Sequence, residues 1–392
     1  MQESKIIEET MFENNQLIAT TYAGLEQALA EELIALGADE VQALRRAVSF
    51  RGDIRMIYRA NYALRTALRI LVPIKTFKVF KADDLYQQAS KIRWEDYFDT
   101  GQTFAVQGTV FSALFTNSMF ASLKLKDAIV DRFRRVLNKR PSVNANSPDV
   151  LINLHLANDS CTVSLDSSGE SLHKRGYRSA GHEAPISEVL AAGLLKLSGW
   201  NARESLTDPM CGSGTIVIEA AMMAGNICPG EYGRHYAFQY WKDYRSDLFE
   251  EIKRESCHRR PEFLIYGSDN SRKSIGLSYK NAVNAKVAGM IQLEVIDFRV
   301  LEKKPDSSFM IFNPPYGERL SPGDDAFYSM IGERLKHVFT DSEAWIISTN
   351  SCFKTIGLKP ARKIALFNGS LECSFRKFEL YKGSKKGIQQ MH

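Results

Sequence analysis

Long hydrophobic runs are absent from the 392-residue sequence. Its apolar stretches, such as residues 70–72 and 220–224, are far shorter than the roughly 18 residues that a membrane-spanning helix needs. The first nine residues mix acidic and basic side chains around no apolar core, which argues against a secretory signal. We therefore expect a soluble, cytoplasmic protein.

Cysteine is scarce, and its pattern excludes two kinds of stabilisation. The six cysteines include no Cys-x-x-Cys pair, so we expect neither a disulfide framework nor a structural zinc site, and no metal. Proline and glycine are not enriched, and the 44% apolar and 25% charged residues are near globular averages. The composition excludes a fibrous or disordered chain, and the length favours two or three domains.

Positive charge is concentrated in one part of the chain. The whole sequence holds 51 basic and 46 acidic residues, whereas residues 41–140 alone hold 19 basic and 8 acidic ones. One basic cluster lies between residues 45 and 69, and a second lies between 124 and 140 on a predicted helix. This local excess favours a polyanionic partner, and we expect that partner to be nucleic acid.

The predicted strands and helices fall into two patterns. Residues 16–21, 103–110, 150–156 and 161–165 are predicted strands, and residues 25–36 and 118–138 are predicted helices, together forming an α+β unit. From about Ser187, strands at 205–207, 263–268, 291–296, 309–312 and 344–348 alternate with helices at 215–224, 275–285 and 327–339. This alternation is typical of a doubly wound, mostly parallel sheet. Residues 363–367 and 376–381 are its last predicted strands, and residues 226–260 are an expected insertion.

A glycine-rich loop, Asp-Pro-Met-Cys-Gly-Ser-Gly-Thr at residues 208–215, follows the first strand of this sheet. Gly212 and Gly214 would let a ligand approach the backbone closely. The loop lacks the Gly-Lys-Ser/Thr of a nucleoside triphosphate site, and Val217 stands where a dinucleotide-binding loop needs its third glycine. We therefore expect a cofactor that carries ribose and adenine but no phosphate.

Three aspartates follow consecutive strands of the predicted sheet. Asp208 ends the first strand, and Asp269 follows the second, where a carboxylate can accept hydrogen bonds from both ribose hydroxyls. Asp297 follows the third strand beside Phe298, where a carboxylate can accept the adenine amino proton and apolar groups can cover the ring. Because the carboxyl ends of parallel strands share one edge, we expect these carboxylates to lie together there.

The most informative segment is the Asn-Pro-Pro-Tyr tetrad at residues 313–316, which follows an apolar strand. Two prolines give a rigid turn without backbone donors, so acceptors dominate locally. The Asn313 side-chain oxygen and the Pro314 carbonyl can accept the two protons of a planar exocyclic amine. Tyr316 would then stack on the base, which contributes about 1–3 kcal/mol. The tetrad thus predicts a target amine on an unstacked base.

Together, the loop and the tetrad resemble the signature of class I S-adenosylmethionine-dependent amino-methyltransferases. The resemblance implies S-adenosylmethionine as the cofactor and a Rossmann-like sheet with an antiparallel C-terminal hairpin. It assigns cofactor contacts to Asp208, Pro209, Gly212, Ser213, Gly214, Thr215, Asp269, Asp297 and Phe298. It assigns the target amine to Asn313, Pro314, Pro315 and Tyr316, with no dedicated base.

Residues 168–178 and 184–192 resemble the junction of bacterial 23S rRNA guanine-N2 methyltransferases. This resemblance implies a ferredoxin-like subdomain at residues 1–65, a THUMP RNA-binding domain at 66–167 and the methyltransferase domain at 168–390. We expect the single-activity form, since the chain has no room for the second methyltransferase domain of the long members. RNA contacts are expected from Lys124, Lys126, Arg132, Arg135, Lys139, Lys174, Arg175 and Arg178.

Other functions stay open on the residues alone. The same tetrad serves a DNA adenine-N6 methyltransferase, although no zinc spacing or clear helix-turn-helix supplies a DNA-reading module. A non-catalytic RNA-binding or assembly factor would not need an intact tetrad and glycine loop. Glutamine-N5 methylation of a protein is disfavoured by the basic region. Guanine rather than adenine, and large-subunit rRNA as partner, rest on the resemblance.

Overall fold

Residues 15–113, 115, 117–179, 186–316 and 325–382 are described by the structure, a computed structural model. The N-terminal residues 1–9, which we interpreted as lacking a signal, and residues 184–185 of the junction lie outside the described residues. Within the described ranges, no helix is both long and apolar enough to cross a lipid bilayer.

The strands are, in chain order, β1 (Asn15–Thr20), β2 (Asp39–Leu44), β3 (Ala47–Gly52), β4 (Arg69–Lys78), β5 (Thr103–Phe111), β6 (Ser142–Val143), β7 (Val150–Ala157), β8 (Ser160–Asp166), β9 (Leu206–Asp208), β10 (Ile265–Asp269), β11 (Ile291–Val295), β12 (Phe309–Phe312), β13 (Ser342–Ser348), β14 (Arg362–Asn368) and β15 (Leu371–Leu380). The α-helices are α1 (Glu26–Ala35), α2 (Ile54–Ala63), α3 (Ala82–Ala89), α4 (Trp94–Tyr97), α5 (Ser118–Leu137), α6 (Glu188–Leu197), α7 (Thr215–Ala224), α8 (Ser246–Arg254), α9 (Arg272–Asn284) and α10 (Asp325–His337).

The chain divides into two compact units. Within the described residues, unit 1 comprises 15–21, Ala30–Leu172 and Gly233–Glu255, and unit 2 comprises Tyr22–Leu29, His173–Tyr232 and 256–382.

Unit 1 contains one continuous sheet with the strand order β2-β3-β1-β4-β8-β7-β5-β6. Helix α5 buries Leu125, Ile129 and Phe133, which recur every four residues and therefore share one face. Asn117 caps the start of this helix by accepting from the Met119 N–H at 2.8 Å, and Asn138 ends it in the left-handed region at φ 52°. The predicted basic amphipathic helix is confirmed.

An aromatic cluster fixes the segment Gly233–Glu255 in unit 1. The rings of Tyr58 on α2 and Phe238 stack with centroids 4.4 Å apart, and Phe249 on α8 lies edge-on to Phe238 at 5.1 Å. Phe249 also contacts Tyr62 of α2 at 6.1 Å. Most of the expected insertion therefore packs with α2 rather than standing apart as a surface loop.

Unit 2 contains the α/β sheet, with the order β11-β10-β9-β12-β13-β15-β14. Pairing is parallel from β11 to β13 and antiparallel to β15 and β14. Strand β12 is buried at every position, as a central strand covered by helices on both faces must be. The predicted doubly wound sheet with its antiparallel hairpin is confirmed, and its parallel strands all end at one edge.

Candidate active site

A cavity of about 390 Å³ lies in unit 2 at the carboxyl ends of four adjacent strands. Asp208 ends β9, Asp269 ends β10, Asp297 follows β11 and Asn313 follows β12. The residues that line the cavity are Ile186, Asp208, Pro209, Met210, Cys211, Gly212, Ser213, Thr215, Ile216, Asp269, Asn270, Asp297, Phe298, Arg299, Asn313, Pro315 and Phe327. The structure thus brings the glycine loop, the three aspartates and half of the tetrad together.

The glycine loop has a backbone conformation that favours glycine at two positions. Gly212 and Gly214 have φ of 55° and 84°, in the left-handed region that favours glycine. A Cβ on Gly214 would lie 2.1 Å from Ser278 Oγ, whereas a Cβ on Gly212 would meet open space. Gly214 therefore serves close packing against α9, while Gly212 leaves the backbone open to the cavity.

The three carboxylates are oriented by backbone N–H groups. Asp208 Oδ1 accepts from Met210 N at 3.1 Å, and Asp297 Oδ1 accepts from Arg299 N at 2.8 Å. Asp269 accepts from Gly212 N at 3.1 Å and from Ser271 N at 2.9 Å. Burial, with a contribution from the nearby Asp269 charge, raises the pKa of Asp208 to about 8.

Asn313 carries a polar atom without a partner. Its side-chain Oδ1 is buried, and no donor among the described residues reaches it. A buried acceptor in this state costs free energy unless a ligand supplies the donor. Pro315 lines the cavity with Asn313, whereas Pro314 and Tyr316 do not line it and Tyr316 is 7% exposed.

These residues fit an adenosine-containing cofactor without phosphate. The cavity volume lies within the roughly 300–1,000 Å³ of small-molecule sites. The carboxyl oxygens of the three aspartates can accept hydrogen bonds from hydroxyl, amino and ammonium groups, and Arg299 pairs with Asp297 at 3.1 Å. Phe298 and Ile186 add apolar surface of the kind that covers a base.

Sequence reasoning assigned no role to seven lining residues: Ile186, Met210, Cys211, Ile216, Asn270, Arg299 and Phe327. Asn270 directly follows Asp269, so the pair of polar residues at a strand end was an available signal. Phe327 lies on α10, and nothing in its local sequence distinguishes it from an ordinary core residue.

The basic residues expected on α5 and just after it lie in unit 1 and differ in their partners and in their exposure. Lys124 pairs with Asp83 at 3.3 Å, and Lys126 pairs with Asp127 at 2.7 Å. Arg135 donates to a backbone carbonyl, that of Ser90, at 3.0 Å. Arg135 and Lys139 are exposed, so their charges can face a polyanion.

Arg132 is a correction to the predicted RNA contacts. Its side chain is only 18% exposed and forms an ion pair with Glu95, which lowers the pKa of that carboxyl. Its charge is already neutralised by a partner. Arg132 therefore joins α4 to α5 rather than facing an RNA phosphate.

Arg175 and Arg178 are also corrections. Arg175 is 1% exposed and lies 3.5 Å from the buried carboxylate of Glu219. Arg178 donates to Glu188 Oε1 at 2.5 Å and to Thr215 Oγ1 at 3.1 Å, at the first residue of α7. Both side chains therefore contact other residues of unit 2, whereas Lys174 is exposed.

Family comparisons cover most of the chain. Residues 175–377 match the RMKL-like methyltransferase domain, residues 81–166 match the THUMP domain and residues 16–71 match the RlmL ferredoxin-like domain. These domain types are the ones that the sequence resemblance implies, and that resemblance is confirmed.

Two curated relatives are similar over nearly the whole chain. The slr0064 protein of Synechocystis sp., provisionally named an RNA methyltransferase, is 38% identical over 371 residues, which span 93% of this chain and 96% of that protein. Ribosomal RNA large subunit methyltransferase K/L of Syntrophotalea carbinolica is 37% identical over 381 residues. That match spans 93% of this chain but 53% of the longer relative.

A solved structure adds the cofactor class. SMU.472, provisionally described as a methyltransferase and complexed with S-adenosylhomocysteine, is 30% identical with a TM-score of 0.85, covering 95% of this chain and 100% of that one. S-adenosylhomocysteine is the molecule left when S-adenosylmethionine has lost its methyl group. This chain belongs to the RMKL-like methyltransferase family, which uses S-adenosylmethionine.

Proposed function

We propose that this protein methylates the exocyclic N2 amine of a guanine in 23S rRNA. The observation that carries the proposal is the buried, unpartnered Oδ1 of Asn313 beside a cavity that fits the cofactor. An amine proton is the donor that this oxygen lacks. The name of the K/L relative from Syntrophotalea carbinolica supports large-subunit rRNA as the substrate class.

The tetrad would hold the amine by its protons. Asn313 Oδ1 and the Pro314 carbonyl accept one N–H each, which directs the nitrogen lone pair toward the cofactor methyl group. The same two acceptors stabilise the positive charge that grows on the nitrogen during transfer. The N–CH3 bond would form as the S–CH3 bond breaks, and the cationic nitrogen would then lose one proton to water. Since this proton is acidic, no dedicated base is required. Tyr316 is proposed to stack on the base.

The cofactor would be held by the three strand ends. We assign ribose to Asp269, adenine to Asp297 and Phe298, and the methionine part to the glycine loop with Asp208, Pro209, Ser213 and Thr215. When bound, S-adenosylmethionine supplies an electrophilic methyl group on its sulfonium. Burial raises the pKa of Asp208 and favours its neutral form. A cationic ligand beside it would favour the ionised form instead.

The target base would have to leave its stack. Asn313 lines a concave cavity, which a base within a paired helix does not reach. Loops and bulges of structured RNA present such bases at small cost.

Unit 1 would bind the RNA around α5. Exposed Arg135, with Lys124 and Lys126, supplies positive charge on this helix, and exposed Lys139 adds to it just after the helix ends. An aromatic ring stands beside them, since Phe120 is 47% exposed with Lys124 Nζ 5.8 Å from its ring centroid. Phe111, at the end of β5, is a second exposed ring of unit 1, at 66%. Exposed rings beside lysines can stack on unpaired bases. Sequence reasoning on charge alone missed these rings.

The domain limits and location stay proposals. We propose boundaries at 1–65, 66–167 and 168–390, and a cytoplasmic site of action. Lys174 is the one junction residue that we retain as an RNA contact, because it is exposed.

The first prediction tests the tetrad. Asn313→Ala removes the amine acceptor, so methyl transfer should fall at least a thousandfold while the dissociation constant of S-adenosylhomocysteine changes less than threefold. Asn350→Ala is the matched control, since this exposed asparagine follows the neighbouring strand β13 and does not line the cavity. Titration calorimetry and methyl transfer from labelled cofactor give the two readouts, and unchanged turnover in Asn313→Ala would refute the assignment.

The substrate is tested with unmodified large-subunit rRNA and unmethylated DNA in parallel, followed by nucleoside analysis. Label in N2-methylguanosine supports the whole proposal. Label only in N6-methyladenine of DNA would retain the tetrad but overturn the substrate. Cofactor binding without transfer to either would favour the non-catalytic alternative, and repeating the assay on pre-ribosomal particles would decide that case.

A further inference from the structure

The tetrad is hydrogen-bonded by a residue of the helix that follows it. The Tyr328 hydroxyl on α10 donates to the Pro315 carbonyl at 3.2 Å and lies 2.6 Å from Ser348 Oγ on β13. A tyrosine hydroxyl has a single proton, so if Pro315 receives it, Ser348 must donate to Tyr328. This arrangement forms a directed chain from Ser348 through Tyr328 to the tetrad backbone.

A second contact comes from the C-terminal hairpin. Asn368 Nδ2, at the end of β14, donates to the Tyr316 hydroxyl at 2.8 Å. Strand β14 runs in the same direction as β13, because both pair antiparallel with β15. Asn368 therefore reaches the carboxyl edge of the sheet, where the tetrad lies. Gly369, with φ of 65°, makes the tight turn just after it.

The two contacts both involve the second half of the tetrad. Its last two residues are occupied, Pro315 through its carbonyl and Tyr316 through its hydroxyl. The first residue, Asn313, keeps a buried oxygen that no described donor reaches. The fold thus satisfies one end of the loop and leaves the other end to be satisfied by a ligand.

Such support matters because transfer to a weakly nucleophilic amine depends on position. A displacement of about 1 Å in a reacting group can cost a hundredfold in rate, and precise sites need a surrounding set of hydrogen bonds that holds their residues in place. A tetrad attached only by its own backbone would lack that support.

We propose that Asn368 and Tyr328 are positioning residues of the methyl-transfer site, an inference that rests on the proposed function of the tetrad. Asn368 fixes where the Tyr316 ring lies beside the target base. Tyr328 fixes the Pro315 carbonyl and keeps it from competing with Asn313 and Pro314 for the amine protons. Neither side chain touches the reacting atoms.

A double-mutant cycle tests the Asn368 contact. Asn368→Ala and Tyr316→Phe each remove the same hydrogen bond, so each should lower kcat about tenfold with KM for RNA changed less than threefold. The double variant should be no slower than the slower single variant, because the bond can be removed only once. Asn368→Asp, whose carboxylate can accept the Tyr316 proton, should recover most of the rate. Decreases that multiply in the double variant would overturn the proposal.

Hydrogen exchange supplies a readout that does not depend on turnover. The backbone N–H groups of Asn313 and Tyr316, the two that the tetrad has beside its prolines, should exchange faster in Asn368→Ala and in Tyr328→Phe than in the wild type. Ser370→Ala is the matched control, since Ser370 is exposed in the same hairpin turn, and it should change neither exchange nor kcat.

The two proposals fail in different ways. If the wild type methylates RNA but Asn368→Ala keeps its rate, the positioning role is wrong and the proposed function stands. Faster exchange without a decrease in kcat overturns it equally. If exchange responds as expected but the wild type transfers no methyl group to RNA or DNA, the contacts are supported and the proposed function is what fails.

Discussion

Arg175 places a positive charge in the interior of unit 2, beside the carboxylate of Glu219. The two side chains are 1% and 0% exposed, and the Tyr177 hydroxyl donates to the same carboxylate at 3.2 Å. Removing two charges from water costs several kcal/mol for each ion, which the pairing offsets only while both partners are present. The basic run that suggested RNA contacts therefore contains a residue that is buried beside a carboxylate.

We predict that Arg175→Ala lowers the free energy of unfolding by about 3–5 kcal/mol, because it leaves Glu219 buried without its ion-pair partner. Replacing both residues, as Arg175→Met with Glu219→Leu, should recover much of this stability. Denaturant unfolding gives the measurement. Lys174→Ala is the matched control on the exposed neighbour, and a comparable destabilisation there would show that the buried pair is not the cause.

Single residues at the site divide into those that sequence reasoning could find and those that it could not. Asp208 and Asn313 stand beside recognisable strand ends and motifs, and the structure places both in the cavity. Asn368 and Tyr328 contact the tetrad across 52 and 13 positions of sequence. Their side-chain chemistry is ordinary, so only the fold shows what they touch.

At the scale of elements, periodicity succeeded where strands are buried. Strand β12 and helix α7 were predicted with their observed bounds, because nearly every side chain in them is apolar and buried. The hairpin of β2 and β3 was not predicted. Strand β2 is exposed or half-buried along its whole length, and polar and apolar residues alternate only over residues 40–43, which is too short a run to identify a strand.

The segment Gly233–Glu255 shows a different limit of local reasoning. Its aromatic side chains suggested an insertion, but their partners Tyr58 and Tyr62 lie about 180 positions earlier in the chain. Arg55 adds two ion pairs to the end of α8, with Glu251 and with Glu255. Contacts between such distant segments leave no periodic signal in either one.

We predict that Phe249→Ala destabilises unit 1 by about 3–5 kcal/mol, the range found when a fully packed phenylalanine is truncated. Phe249 is 3% exposed and contacts four aromatic rings. Thermal and denaturant unfolding measure the destabilisation. Tyr240→Ala, at a 40% exposed aromatic of the same segment, should cost less than about 1 kcal/mol, and equal costs would contradict the packing role of α8.

At the scale of the whole molecule, basic residues are concentrated in unit 1, and acidic residues surround the cavity of unit 2. The basic excess lies within residues 41–140, in unit 1, while unit 2 gathers three aspartates around its cavity. The acidic lining of the cavity therefore suits the cofactor, and the basic surface suits the RNA backbone. The total charge of +5 conceals this division.

We predict that RNA affinity depends on the basic residues just after α5. Lys139→Glu with Arg140→Glu, at two exposed residues there, should weaken RNA binding. The slope of log K against log salt should fall by about 0.7–0.9 for each phosphate that the protein no longer neutralises.

Lys253→Glu with Arg254→Glu at the last turn of α8 is the matched control, with the same charge change in the same unit. Titrations from about 50 to 200 mM salt measure both slopes. Equally weakened binding in the two double variants would mean that net charge rather than the α5 surface attracts the RNA.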